Sequence, residues 1–318
     1  MATNPMAQPG IIARDGVGHD LLDKTLDQMR VRYNKVPLQG SRFVRTEKAR
    51  GGTYKENTYS SEVELPPLSE DTSDLRFVTP AKGFARQGTI LTYRLAIQTE
   101  RSMVEDELFG VVKRMMSGLL DSGKQLIEYG IADIMNNLTT NSAAYQGADG
   151  VPLAYATHPR PVARAGTWNN VEVPGSLSLT TFTIARANMQ RRGASDFGYV
   201  MPIYPALMVV PPELEKAARD LKHAEKNPAN ALNEPNTFRQ DPWEPVVYNY
   251  FSSATNWVLF GDMPEMYRGI VYAATQQPSV TSLMGKDISV DVLWGSRLRA
   301  RILFMPVDGL NMQYSAGA

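Results

Sequence analysis

The stretch LMVVPPELEKAARDL, Leu207 to Leu221, changes period in its middle. Leu207, Met208, Val209 and Val210 form a short apolar block, as expected of a strand buried on both faces. Pro211 and Pro212 follow, and then apolar residues fall at Leu214, Ala217, Ala218 and Leu221. That spacing is one face of a helix. Pro212 suits the first helical position, where a missing N–H breaks no bond. Glu213 and Glu215 lie near the positive end of the helix dipole, and Arg219, Lys222 and His223 toward its negative end. A strand running directly into a helix is predicted here, and no residue in it carries obvious chemistry.

The strongest helical pattern lies upstream, in RSMVEDELFGVVKRMMSGLLDSGKQLIEYGIADIMNNL, Arg101 to Leu138. Ser102 and Glu105 have the spacing of a capping box. Val104, Leu108, Val111, Met115 and Leu119 hold one stripe, resumed by Ile127, Ile131, Ile134 and Leu138. Unbroken, roughly 35 residues would span about 50 Å. Gly110, Gly118, Gly123 and Gly130 each weaken the helix by up to ~1 kcal/mol relative to Ala, so a kink or break is expected near Gly118–Gly123.

Before this helix, residues 57 to 98 read as strands. Val63 and Leu65 alternate with Glu62 and Glu64, and Leu91, Tyr93, Leu95 and Ile97 alternate with Thr92, Arg94 and Ala96. Between them lie Pro66-Pro67, the acidic run SEDTSD (Ser69 to Asp74) and PAKG (Pro80 to Gly83). The pattern predicts an extended hairpin too poor in apolar area to stand alone. Residues 1 to about 55 are polar, with one short helix expected around Asp20 to Val31 whose apolar stripe is Leu21, Leu22, Leu26 and Met29, and read as an arm that gains order by lying on something else. Downstream, residues 142 to 175 form a loop region, Leu179 to Arg192 a helix, and Val246 to Phe251 and Trp257 to Phe260 strands. In the C-terminal stretch Ile288, Val290, Val292, Trp294, Leu298, Ala300, Ile302 and Phe304 share one face, while Arg297, Arg299 and Arg301 project from the other. Three like charges spaced about 6.5–7 Å apart repel, so carboxylates or phosphates are expected opposite them.

The chain has 318 residues, 43% of them hydrophobic and 21% charged, enough for a sizeable core. Thirty-three basic residues balance 33 acidic ones, so no global field draws the chain to nucleic acid or an anionic membrane. The absence of cysteine excludes disulfides, thiolate catalysis and cysteine-ligated zinc, and fits a reducing cytoplasm. The N-terminal sequence has no signal-peptide pattern, and no window approaches the ~18 apolar residues of a membrane span. A zinc or hydrolase reading could pair His158 with Asp149, but no His-Glu-x-x-His spacing exists and His158 reads more simply as a loop histidine. GVGHDL lacks the third glycine of a dinucleotide fingerprint, GASDFG is not a nucleophile elbow, and SEDTSD lacks the spacing of a calcium loop. No catalytic constellation, metal site or cofactor site emerges.

Four stretches in order do resemble a known family. They are MVEDELFGVVKRMMSGLLDSGKQLIEYGIADIMNNL, then GADGVPLAYATHP with GTWNN, then YPALMVVPPELEKAARDLKHAE, then WEPVVYNYFSSATNWVLFGD. Together they are similar to the major head (coat) subunit of tailed bacteriophages with the Hong Kong 97 fold, in the Mu-type head subunit group. The resemblance implies an α+β fold with an N-terminal arm (1–55), an extended loop hairpin (56–98), a peripheral domain with a long spine helix (99–150) completed by C-terminal strands (271–318), and an axial domain (151–270). It implies a major capsid protein, not an enzyme, that self-assembles into hexamers and pentamers of an icosahedral head enclosing the phage genome. The implied location is the virion, after assembly in the host cytoplasm. Implied partners are other copies of the chain, a portal, a separate scaffolding protein or none, cement or decoration proteins, and double-stranded DNA contacted non-specifically; no membrane and no cofactor is implied. Arm and hairpin would lack cores of their own because neighbouring subunits supply them. On that reading the expected intersubunit contacts are Glu62, Glu64, Glu70, Asp71, Asp74, Lys82, Arg86, Arg297, Arg299 and Arg301. Some members crosslink through a lysine–asparagine bond; Lys82 lies in the hairpin, but no matching asparagine and acid are identified. Rival readings are the shell of a cellular nanocompartment of the same fold and a cytosolic hydrolase with an unrecognised site.

Overall fold

The computed structural model describes residues 28, 38–59, 82–100, 109–161, 166–172, 175–192, 200, 202–226, 235–263, 268–283 and 292–317. Among these residues twelve strands and three α-helices are described. The strands are β1 (Arg45–Lys48), β2 (Thr53–Tyr59), β3 (Lys82–Thr89), β4 (Leu91–Glu100), β5 (His158–Pro159), β6 (Thr167–Trp168), β7 (Pro205–Val210), β8 (Glu244–Val247), β9 (Trp257–Gly261), β10 (Ile270–Leu283), β11 (Val292–Pro306) and β12 (Met312–Ser315). The helices are α1 (Phe109–Asn136), α2 (Leu179–Arg191) and α3 (Glu215–His223). One sheet has the order β1-β10-β11-β4, a second β12-β9-β7-β8, and β2-β3 and β5-β6 are two-stranded. The chain divides into two compact units, one within Met1–Leu38, Ile90–Glu128 and Ala274–Ile302, the other within Gln39–Thr89, Tyr129–Ala273 and Leu303–Ala318.

The larger unit is organised by the stretch that changes period. β7 is a central strand, parallel to β8 and antiparallel to β9, and Met208, Val209 and Val210 are fully buried. A strand flanked on both sides and covered on both faces needs a continuous apolar block. At Pro211 the chain leaves the sheet, makes a single 3-10 turn at Pro212–Leu214, and enters α3. α3 buries Ala218 and Leu221 in a core with Phe182, Ala185 and Met189 of α2, Trp243, and Trp257 and Leu259 of β9. Lys222, expected to serve the helix dipole, is instead buried. Its Nζ donates to the carbonyls of Phe238, Arg239 and Asp241 and lies 5.3 Å from the Trp243 ring centroid. α2 starts at a reciprocal cap: Thr181 N–H donates to Ser178 Oγ at 3.2 Å, and Ser178 N–H donates to Thr181 Oγ1 at 2.9 Å.

Two points about strands go beyond the sequence reading. β4 pairs antiparallel with β11 from Val292↔Glu100 to Ile302↔Leu91; the 62–65 stretch, expected to be its hairpin partner, lies outside the described residues. The stem of the long hairpin is β2 with β3, where Glu56 faces Arg86 and Thr53 faces Thr89. Alternation shows that a segment is half-buried; it does not choose the partner strand. Second, the strand expected over Val246 to Phe251 ends at Val247. Tyr248 still donates its N–H to Val210 at 2.9 Å, then the chain turns, and its ring meets Phe43 edge-on at 5.3 Å.

In the smaller unit Leu298, Ala300 and Ile302 of β11 are buried, as are Met116, Leu119 and Leu120 of α1. α1 runs from Phe109 to Asn136 without the expected break. The glycines differ in surroundings, which explains why they are tolerated. A Cβ on Gly118 would meet nothing within 4 Å, whereas one on Gly130 would lie 2.2 Å from Cε2 of Phe304. Gly130 therefore admits an aromatic ring against the helix backbone, and Gly118 is only a local weakness. The capping box at Ser102 and Glu105 and the short helix near Leu21 to Met29 lie outside the described residues, apart from helical Gln28.

Substituting Gly130→Ala is expected to destabilise the subunit by about 1–3 kcal/mol through overpacking. Gly118→Ala, in open space, should stabilise it by up to about 1 kcal/mol. Urea unfolding of the two variants checks the pair, and a more stable Gly130→Ala would refute the close-packing explanation.

Candidate functional site

The sequence candidates fall in separate places and are best taken unit by unit. In the smaller unit, register sets Arg297 opposite Ala96, Arg299 opposite Arg94 and Arg301 opposite Thr92. Residues facing each other across a strand pair share a sheet face. Arg94 therefore joins the three arginines, and two guanidinium-bearing residues are directly opposed. The face carries four positive charges, and among the described residues none of the four is hydrogen-bonded to a carboxylate. The Nε atoms of Arg297, Arg299 and Arg301 are buried and, among the described residues, have no hydrogen-bond partner. Arg94 escaped the sequence reading because only pairing register brings it to the row. Glu62, Glu64, Glu70, Asp71 and Asp74 lie outside the described residues, and Lys82 stands at the start of β3 with its side chain outside them.

In the larger unit Arg86 of β3 is engaged within its own chain. Its guanidinium donates to the carbonyls of Ala143 (3.0 Å), Ala144 (3.1 Å), Gly147 (3.2 Å) and Gln146. Burial lowers its pKa, with Asp149 opposing that shift. The side chain ties the root of the β2–β3 hairpin to the turn that follows α1.

Asp149 and His158, weighed as a pair from sequence, do meet. His158 Nδ1 lies 2.6 Å from Asp149 Oδ2, its Nε2 lies 3.2 Å from Asn170 Oδ1, and its ring stacks on Trp168 at 4.0 Å. Asn170 is the centre of the arrangement. Its Oδ1 also accepts the N–H of Tyr155 (2.8 Å), and its Nδ2 donates to the carbonyls of Leu153 (2.6 Å) and Gly309 (3.0 Å). Its backbone accepts from Tyr314 N–H at 2.8 Å, linking β12 to the same point. Asp308 Oδ1 accepts the N–H of Leu310 at 2.8 Å. Although part of the residue is exposed, burial of the carboxyl raises its pKa to about 6, Asp149 adds to the rise, and Leu310 N–H, His158 and Arg192 oppose it. A histidine–aspartate pair can act as a base. Here, however, His158 is only 1% exposed, both ring nitrogens are engaged, and no hydroxyl nucleophile bonds to it. Among the described residues no group of three His, Asp or Glu side chains could hold a metal ion, and no helix is long and apolar enough to cross a membrane. The pair is a fastening for loops. Sequence suggested the pair but not Asn170, whose four side-chain bonds join segments far apart in the chain.

A family model described as phage capsid protein matches residues 88–311, from the end of β3 through β11 to the turn before β12. The chain belongs to the phage capsid protein family. No curated protein matches the sequence. Among solved structures, the capsid of the cyanophage P-SCSP1u is 8% identical with a TM-score of 0.51, covering 87% of this chain and 86% of that one. The capsid of the native GTA particle is 11% identical with a TM-score of 0.49, covering 88% and 90%. A virus-like particle from Pyrococcus furiosus is 10% identical with a TM-score of 0.49, covering 93% and 98%. At 8% identity, the likeness to the cyanophage capsid is one of fold. The capsid protein is thus a mixed α+β subunit of a phage-type particle shell, and its family points to a structural role.

Two outcomes follow for the loop fastening. Replacing Asn170 with Ala leaves two carbonyls and an amide N–H without partners, and should destabilise the capsid protein by about 2–4 kcal/mol in chemical unfolding. For Asp308, the folded pKa of about 6 lies above the ordinary 3.8. The folded chain therefore binds more protons at this site than the unfolded chain between those values. Its stabilising contribution is full below about pH 4 and lost as pH rises through about 6. Asp308→Asn should flatten the stability profile over that window, and an unchanged slope would show that Asp308 does not titrate there.

Proposed function

We propose that this capsid protein is the major head subunit of a tailed phage, of the Hong Kong 97 type and the Mu-type group. Copies of it form the hexamers and pentamers of an icosahedral shell around double-stranded DNA, assembled in the host cytoplasm with a portal and, where used, scaffolding and decoration proteins. The domain layout that accompanies this reading is an arm (1–55), a hairpin (56–98), a peripheral domain (99–150 with 271–318) and an axial domain (151–270). The observation that carries the proposal is the family match over 88–311. Support comes from the arginine face, which has no neutralising carboxylate among the described residues.

On this reading the face meets the hairpin of a neighbouring copy. Glu62, Glu64, Glu70, Asp71 and Asp74 give that hairpin a strong negative charge, and Lys82 lies at its base. Glu62 and Glu64 repeat every second residue, as do the three arginines of β11. An extended segment with that repeat places its carboxylates about 6.5–7 Å apart, the spacing of the arginines. A net charge of +0 argues against a coat held to its genome by strong phosphate attraction. Arg86 serves instead to hold the root of the hairpin. Exposed pairs contribute only about 0.2–1 kcal/mol each, but shell symmetry repeats them in every subunit.

Electron microscopy of the purified particles, with assay of nuclease-protected nucleic acid, tests the main reading. Closed shells filled with DNA are expected; shells filled with a protein cargo would make it a nanocompartment, and a persistent monomer would refute a shell role. Arg299→Glu should leave the subunit folded and lower shell yield severalfold, and Glu62→Lys with Glu64→Lys should restore part of it. Normal shell yield from Arg299→Glu would refute the hairpin contact while leaving the capsid role intact.

A further inference from the structure

In the larger unit a cleft of about 300 Å³ opens between the C-terminal end of α2 and the β5–β6 ribbon. Its lining includes Arg160, Arg191 and Arg192 together with Thr167, Trp168 and Asn169. No carboxylate lines it among the described residues. Basic residues at the end of a helix complement its dipole, and this accounts for Arg191 and Arg192 being adjacent there. It does not account for Arg160 converging on the same space from a different segment. Nor does it account for the state of Arg192.

Arg192 is 4% exposed, and its terminal nitrogens donate only to neutral acceptors: the carbonyls of Leu310 (2.6 Å) and Met312 (2.8 Å) and the side-chain oxygen of Gln313. Its Nε is buried and, among the described residues, has no hydrogen-bond partner. Burial lowers its pKa to about 10, with Asp308 only partly opposing the shift, so the group stays charged but poorly neutralised. A buried guanidinium without a hydrogen-bonded anion carries a desolvation cost that a nearby negative charge would offset. The nearby carboxylate of Glu172 already accepts from Asn188 at 2.7 Å. Arg191 is exposed and, among the described residues, has no carboxylate partner. Trp168 forms a rigid wall, fixed by its stack on His158 and with the Arg192 guanidinium 5.5 Å from its ring centroid. Asn169 Oδ1 is used by Val171 N–H at 2.7 Å, which leaves its amide NH2 as a donor.

We propose that this cleft is a binding site for a phosphate group. Guanidinium groups recognise phosphate oxygens through paired, charge-assisted hydrogen bonds, and the exposed Arg191, the under-neutralised Arg192 and the Asn169 amide suit an oxyanion. The phosphate comes either from free inorganic phosphate or from a nucleic-acid backbone. The inference stands on the cleft alone and does not depend on how subunits meet.

Calorimetric titration of the full-length chain with sodium phosphate, at ionic strength fixed with sodium chloride, tests it. A second arm titrates a 20-nucleotide single-stranded DNA with and without phosphate. Saturable phosphate binding at one site per chain, weakened at least tenfold in Arg191→Glu and in Arg160→Gln, supports the free-ion source. DNA binding that phosphate competes away, and that both variants weaken at least tenfold, supports the nucleic-acid source. Arg191 is exposed, so its variant should match the parent in circular dichroism and unfolding midpoint in chloride; Arg191→Gln serves if it does not. Absence of saturable binding in both arms, or binding unchanged in the variants, overturns the proposal.

Discussion

Long loops in this subunit run past a dense core, and their main-chain carbonyls must find donors that no sheet or helix provides. A few side chains meet that need, each serving several carbonyls. Asn170 joins Leu153 to Gly309, Arg192 joins Leu310 to Met312, and Lys222 gathers Phe238, Arg239 and Asp241. Arg86 gathers the turn at 143–147, and Asn236 takes the carbonyls of Leu221 and Ala224 at the end of α3. α2 sets the position of Arg192, α3 that of Lys222 and β3 that of Arg86. The loops then inherit their shape from the donors, because a buried carbonyl left unpaired costs about 1–3 kcal/mol.

The same requirement has an electrostatic side. A buried cation is stable when its charge is balanced as well as its hydrogen bonds. Arg45 is balanced in charge, with Glu56 at 2.8 Å and Glu47 at 3.4 Å. The row of Arg94, Arg297, Arg299 and Arg301 meets neither condition within the described residues of its own chain. A subunit of a particle shell is stable in company, and its surface can hold charges that only another molecule completes. The neutral total of the chain is compatible with such segregation, since net charge says nothing about where charges sit.

The sequence by itself determined the elements whose pattern is local. The apolar block at Leu207 to Val210, the stripe at Leu214, Ala218 and Leu221, the long helix and the alternation of β11 are all set by near neighbours in the chain, because helix and strand periods repeat over a few residues. The ordered stretches from Met103 to Asp262 also carried the family. The tertiary structure decided what depends on distant segments. It paired β4 with β11, a choice that alternation cannot make because it marks a half-buried face without naming its partner. Arg94 entered the arginine row by register alone. Gly130 admits the Phe304 ring against the helix backbone, a fact that helix propensity cannot contain. Asn170, Arg192 and Lys222 looked like ordinary polar residues, since a side chain becomes a fastening only when folding brings unpaired carbonyls around it.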